Sequence, residues 1–187
     1  MSFGLENDHV CMQKEILEAY SKDIIIFAAA SNNGGNYEVT YPARKNEVIC
    51  IYSTDGNGNT SPCNPPHLKN SAYHFATLGV GVKSGLETER RMTGTSFSTP
   101  IAAGIAACIL EFARMHKIEG DLYKVLRSRQ GMQEVFAQHL VDKRDELHYL
   151  NPWKLFAKHR SDEEILLQIK DPLKRWVGKT EKETEMR

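Results

Sequence analysis

Two uninterrupted apolar runs, Ile24 to Ala30 and Val48 to Tyr52, most restrict what this chain can fold into. A strand with one wet face alternates polar and apolar residues. A short continuous run bounded by polar or turn-forming residues instead marks a strand buried on both faces, as in a parallel sheet. Ahead of the first run, Met12, Ile16 and Tyr20 recur at i, i+4 and i+8 and predict a helix. The chain therefore enters a strand–helix–strand unit in its middle. Phe75 to Val82 predicts a third extended segment, weakened by Gly79 and Gly81. From about Ser98 to Met115, Ile101, Ile105, Ile109 and Phe112 form one stripe, and Ala102, Ala103, Ala106 and Ala107 cover most of the remainder. A helix apolar nearly all round is predicted to be buried. The fold class is α/β.

A length of 187 residues gives one domain with a tail. Lys+Arg is 24 and Asp+Glu is 24, a formal net charge of zero, which excludes a generic basic nucleic-acid binder. The apolar runs stop at about seven or eight residues, against roughly 18 for a membrane span. Neither a membrane nor a nucleic acid is an expected partner. Met1 to Asp8 has neither the basic start nor the apolar stretch of a signal peptide. Cys11, Cys50, Cys63 and Cys108 form no CxxC pair, and the apolar settings of Cys50 and Cys108 predict buried thiols. The pattern leans toward a reduced, intracellular setting.

Beyond Ile118 the composition turns charged. Met132, Val135, Phe136, His139 and Leu140 make an amphipathic face, and Ser161 with Glu164 has capping-box spacing ahead of Ile165, Leu166 and Ile169. Asp171-Pro172 is predicted to interrupt that helix. Trp153 and Phe156 are expected to be packing anchors. The division is an α/β part over 1–117, a helical extension over 118–178 and a disordered charged tail over 179–187.

The segment Met92-Thr93-Gly94-Thr95-Ser96-Phe97-Ser98-Thr99-Pro100 opens directly into the apolar helix, with Pro100 expected in its first turn. Ser96 would sit at a helix N-terminus, where free N–H groups favour the oxyanion that forms beside a serine nucleophile. A plain Ser/Thr-rich cap fits the local pattern equally well. Position 98 is Ser, so the segment is not the GxSxG elbow of α/β-hydrolases. Asn32, in Ala28-Ala29-Ala30-Ser31-Asn32-Asn33-Gly34, follows the first strand at the edge where α/β proteins place their sites. Its amide can donate to an oxyanion, or it can simply be a turn residue before Gly34-Gly35.

Together these segments resemble the subtilisin-like serine peptidases, the subtilases, over about residues 1–115. Gly94-Thr95-Ser96-x-Ser98-Thr99-Pro100 is similar to the family's GTSxxxP motif, which implies Ser96 as nucleophile. Ile25 to Gly34 resembles the family's strand ending in AAAGN, which implies Asn32 as the oxyanion-hole side chain, with the Ser96 backbone N–H as its companion. Met1-Ser2-Phe3-Gly4 is similar to MSLG, which implies that Ser2, Phe3 and Gly4 pair with substrate, bordered by Ala30 and Ser31. Tyr41-Pro42-Ala43 resembles a stretch whose X–Pro bond is commonly cis. The implied fold is part of a three-layer sandwich with a mostly parallel sheet, with 1–117 as the C-terminal half of the catalytic domain. The tail resembles the extension of certain fungal intracellular subtilases.

The departures bear on activity. Subtilase triads run Asp, His, Ser along the chain. The family's DxG and HGTxVA motifs, expected ahead of residue 1, do not occur in these residues. Asp55 is followed directly by Gly56, and neither His9, His67 nor His74 is followed by Gly-Thr. Ser31 stands where the family usually has Gly, and Leu78-Gly79 replaces Pro-Gly. The expectation is a serine endopeptidase acting on peptide or protein substrates, needing no cofactor, and inactive without a partner half that carries Asp and His. A non-catalytic peptide-binding pseudo-peptidase is the alternative, and a tail-mediated interaction protein a third. No acidic cluster offers calcium a site.

Overall fold

The computed structural model describes residues 1–83, 90–144 and 146–185. In chain order the elements are α1 (Val10–Ser21), β1 (Ile26–Ala29), β2 (Val48–Thr54), β3 (Phe75–Leu78), β4 (Val82–Lys83), β5 (Arg91–Met92), α2 (Thr95–Met115), α3 (Gly120–Arg127), α4 (Arg129–His139), β6 (Val141–Arg144), β7 (Leu147–Leu150) and α5 (Asp162–Glu185). The sheet order is β1-β2-β3-β7-β6, parallel from β1 through β7, with β6 antiparallel at the edge. Ile26 stands opposite Val48, Tyr52 opposite Ala76, and Phe75 opposite His148.

The apolar runs are continuous because both faces of the sheet are covered. Phe27, Ile49, Ile51 and Phe75 share one core with Ala102, Ile105 and Ile109 of α2 and with Met132, Val135 and Phe136 of α4. The alternate residues Ile26, Ala28, Val48 and Tyr52 join Ile16 of α1 and Tyr41 in a second core. Period-two alternation thus sends successive residues into two apolar layers. The Tyr41–Pro42 bond is cis.

Several expectations change. The third extended segment splits, with β3 in the main sheet and β4 pairing β5 in a separate two-stranded ribbon. Helix α2 begins at Thr95, because Gly94 and Phe97 are tied in one turn by the Phe97 N–H to Gly94 carbonyl bond. Pro100 therefore lies in the second turn, and its missing N–H leaves the Ser96 carbonyl without its helical donor. Nor is α2 buried all round. Its Ala102, Ile105, Ile109 and Ala113 face is in the core, whereas Pro100, Gly104, Ala107, Cys108 and Met115 are exposed along the opposite side. Cys108 is thus an exposed thiol and Cys50 only partly buried. By length and mean hydropathy alone α2 would suffice to cross a bilayer, a property that counting unbroken runs overlooks.

The tail is not purely helical. The β6–β7 hairpin adds two strands to the sheet, and residues from both sides of position 118 share one core. Pro172 does not interrupt α5, because Ile165, Ile169, Pro172 and Leu173 are all buried and packing outweighs one lost bond. Helix also continues through 179–185, where composition alone pointed to disorder; Lys and Glu are good helix formers. Residues 186 and 187 of that tail lie outside the described residues. Trp153 is 70% exposed, whereas Phe156 packs on Phe112.

The capping box is made in both directions: the Glu164 N–H donates to Ser161 Oγ at 3.3 Å and the Ser161 N–H to Glu164 Oε2 at 2.9 Å. Ser161→Ala is expected to cost about 1 kcal/mol, measured by chemical denaturation.

Burial lowers the pKa of two half-buried histidines. For His139, burial outweighs the opposing charge of Asp171 and is reinforced by Arg175 and Arg160; its Nε2 has no partner among the described residues. For His148, burial acts with Lys143 and His74, and its Nδ1 accepts the His74 N–H, which requires a bare lone pair. Both folded pKa values lie below the unfolded value of about 6.5, so the unfolded chain binds more protons in that window. Stability is full above about pH 6.5 and is expected to fall as pH drops through the folded values. A thermal midpoint unchanged between about pH 7.5 and 5 would contradict this.

Candidate active site

The site gathers where the parallel strands end. Residues Ser31 and Asn32 follow β1, Gly79 follows β3, and the turn at Gly94 starts α2. The Gly94 N–H donates to the Gly79 carbonyl at 2.8 Å. A Cβ at Gly79 would lie 2.4 Å from Ser53 Oγ and 2.9 Å from the Gly94 carbonyl, so only glycine lets the serine turn approach the sheet. Gly94 has φ +151°, and a Cβ there would lie 2.9 Å from Asn32 Nδ2.

Asn32 is held by one end of its amide. Its Oδ1 accepts the Thr95 N–H at 2.7 Å and the Thr95 hydroxyl at 3.1 Å, with the Cys63 thiol at 3.6 Å. Thr95 is anchored in turn, since its hydroxyl also lies 3.1 Å from the Ser31 carbonyl. With Oδ1 occupied as acceptor, the two N–H donors of Nδ2 have no acceptor among the described residues. Asn32 itself is exposed.

Ser96 is the second residue of α2 and partly exposed. Its hydroxyl donates to the Ser2 carbonyl at 3.1 Å. Its own N–H falls in the first helical turn, where no intrahelical acceptor exists. A cleft of about 190 Å³ borders Ser96, Asn32, Ser31, Phe3 and Gly4, and no histidine lines it. The Met1 carbonyl accepts the Ala29 N–H, which sets Ser2 beside β1. Gly4 is close enough to Thr40 that a Cβ would fall 2.0 Å from Thr40 Oγ1.

Five of the seven predicted residues thus share the cleft wall, and Ser2 reaches Ser96 through its carbonyl. Ala30 is fully buried and does not line the cleft; Ala29 does, because alternation along the strand turns Ala30 inward. Ser31 spends its hydroxyl on the Asn33 N–H. Thr95 and Cys63 were missed. Thr95 lies inside the quoted motif, adjacent to Ser96, but nothing in the sequence marks Cys63. Of the histidines ahead of Ser96, His9 caps α1 and His67 stacks on His74, away from the cleft. Among the described residues no group of three or more His, Cys, Asp or Glu could hold a metal.

Comparison with known proteins bears on the family and the fold. A sequence profile described as "Subtilase family" matches residues 1–128. M-protease of Shouchella clausii (strain KSM-K16) is 27% identical over 111 residues, covering 58% of this chain and 28% of its own length. Subtilisin DY of Bacillus licheniformis is 30% identical over 115 residues, covering 59% of this chain and 41% of its own. The patellamide maturation protease PatA superposes with a TM-score of 0.66 at 21% identity, over 82% of this chain and 59% of that one, a likeness of fold. The chain spans less than half the length of these sequence relatives.

Proposed function

The chain belongs to the subtilase family, and from that premise we propose that it carries the nucleophile and oxyanion hole of a serine endopeptidase acting on peptide or protein substrates. Ser96 Oγ attacks the scissile carbonyl as its proton passes to an imidazole contributed by another segment. Negative charge then collects on the carbonyl oxygen, within reach of Asn32 Nδ2 and the Ser96 N–H. Collapse expels the amine, protonated by the imidazolium, and water releases the acyl group. Ser2, Phe3, Gly4 and Ser31 border the substrate. Residues 1–117 form the catalytic half, and 118–178 an extension that completes its sheet.

The observation that carries this reading is the Asn32 amide, fixed through Oδ1 by Thr95, with Nδ2 donors that meet no acceptor among the described residues, on the cleft it shares with Ser96. The Ser96 hydroxyl rests on a carbonyl, which accepts a hydrogen bond but is too weak a base to take the proton. These 187 residues are therefore proposed to be inactive by themselves. The exposed side of α2, with the apolar cleft of about 370 Å³ between β1 and Pro100, supports packing against the segment that brings the base. Peptide hydrolysis by the native product, lost in Ser96→Ala, tests the assignment. Hydrolysis that survives Ser96→Ala overturns it, and peptide binding without cleavage by that product would favour the pseudo-peptidase.

A further inference from the structure

A second cleft, of about 350 Å³, lies at the other end of the sheet, where β2 and β3 begin and α4 starts. Its volume falls within the range of small-molecule sites, roughly 300–1,000 Å³. Arg44, Lys45, Lys69 and Arg129 line it, and among the described residues no carboxylate does. Two acids lie near these cations: Asp8 pairs with both Arg44 and Lys45, and Glu47 acts on Arg129. A third acid, Glu134, accepts the hydroxyl of the lining Tyr73, so four cations less three acids leave an excess of 4 − 3 = 1 positive charge. The Cys50 thiol in the wall is pushed up to about 12 by burial, so it contributes no anion.

Two groups at this cleft carry side-chain donors with no protein acceptor among the described residues. Arg129 is half-buried, and the one bond recorded for its guanidinium is a long one from Nε to the Val48 carbonyl, 3.4 Å. Its terminal fork has no acceptor among the described residues. Gln133 is 8% exposed and its amide makes no hydrogen bond among the described residues. A guanidinium fork, an amide donor and an exposed ammonium at Lys69 line one space, and donors of these three kinds suit the several oxygens of a phosphate.

We propose that this cleft, formed by Arg129, Gln133, Lys69 and the start of β2, binds phosphate, free or as the phosphate group of a small molecule. The site is separate from Ser96 and does not depend on the peptidase assignment.

Calorimetric titration of the 187-residue chain with inorganic phosphate, phenyl phosphate and benzoate tests this. Saturable one-site binding of phosphate or its ester, with benzoate much weaker, is expected. Tighter binding of phenyl phosphate identifies an organic phosphate as ligand, and tighter binding of inorganic phosphate the free anion. Arg129→Gln is expected to weaken binding about 10- to 100-fold, and Lys69→Gln about threefold with a shallower salt dependence. The Gln133 side-chain amide resonance should shift on titration. Lys69 is exposed, so Lys69→Gln leaves the fold intact and decides the matter if Arg129→Gln does not fold. No saturable binding, benzoate equal to phosphate, or affinity unchanged in folded variants overturns the proposal.

Discussion

In a native product that cleaves peptides, Asn32→Ala is expected to lower kcat by about 10²–10³ while leaving KM nearly unchanged. The magnitude is that of the corresponding asparagine in subtilisin, about 2.7–4 kcal/mol, carried over because the proposed role is the same. The geometry explains why the loss would fall on kcat. Asn32 Nδ2 contributes only once negative charge has formed on the carbonyl oxygen, so the bound ground state gains little from it. One side effect needs a control. Removing Oδ1 strands the Thr95 N–H and hydroxyl, which now share it at 2.7 and 3.1 Å. Asn32→Asp keeps that acceptor and removes the donors, so it should be nearly as slow as Asn32→Ala. A kcat within threefold of the parent in both variants would remove Asn32 from the oxyanion hole.

Phe136→Ala should cost about 3–5 kcal/mol, a large share of the roughly 5–15 kcal/mol that holds an ordinary domain together. Phe136 is fully buried in α4, with its ring centroid 6.2 Å from Phe27 and 5.5 Å from Phe75. It therefore joins the extension to β1 and β3. Truncation leaves a cavity lined by two strands that cannot close on it, since both are fixed by neighbours in the sheet. Denaturant unfolding should show the loss in one cooperative transition. A change under 1 kcal/mol, or two separate transitions, would mean that the extension is only loosely attached.

Much of this was legible before any coordinates. The runs at Ile24 and Val48 announced doubly buried strands because packing on both faces leaves no room for polar alternation. Ser96 and Asn32 were legible because Gly-Thr-Ser and Ala-Ala-Ala-Ser-Asn are dense local motifs at element boundaries. What escaped depends on distant partners. Strand β7 reads as Leu-His-Tyr-Leu, too short and too polar to stand out, and exists because β3 offers it an edge. Cys108 looked buried since it sits in an apolar helix, but the side of α2 that faces the core is set by the sheet and not by α2 itself. Arg129 and Lys69 lie 60 residues apart, so nothing in the chain joins them into one cleft.

Ser96 is proposed to be a peptidase nucleophile whose base comes from another segment. The most direct measurement is the rate at which a fluorophosphonate modifies Ser96, by intact mass and peptide mapping, in the 187-residue chain and in the native product. Loss of the catalytic histidine costs roughly 10⁶ in subtilisin turnover. The 187-residue chain should therefore label no faster than an ordinary serine, while the native product labels rapidly at Ser96. Fast, stoichiometric labelling of the 187-residue chain would show that it holds its own base. A native product that hydrolyses peptides yet never labels at Ser96 would place the nucleophile elsewhere.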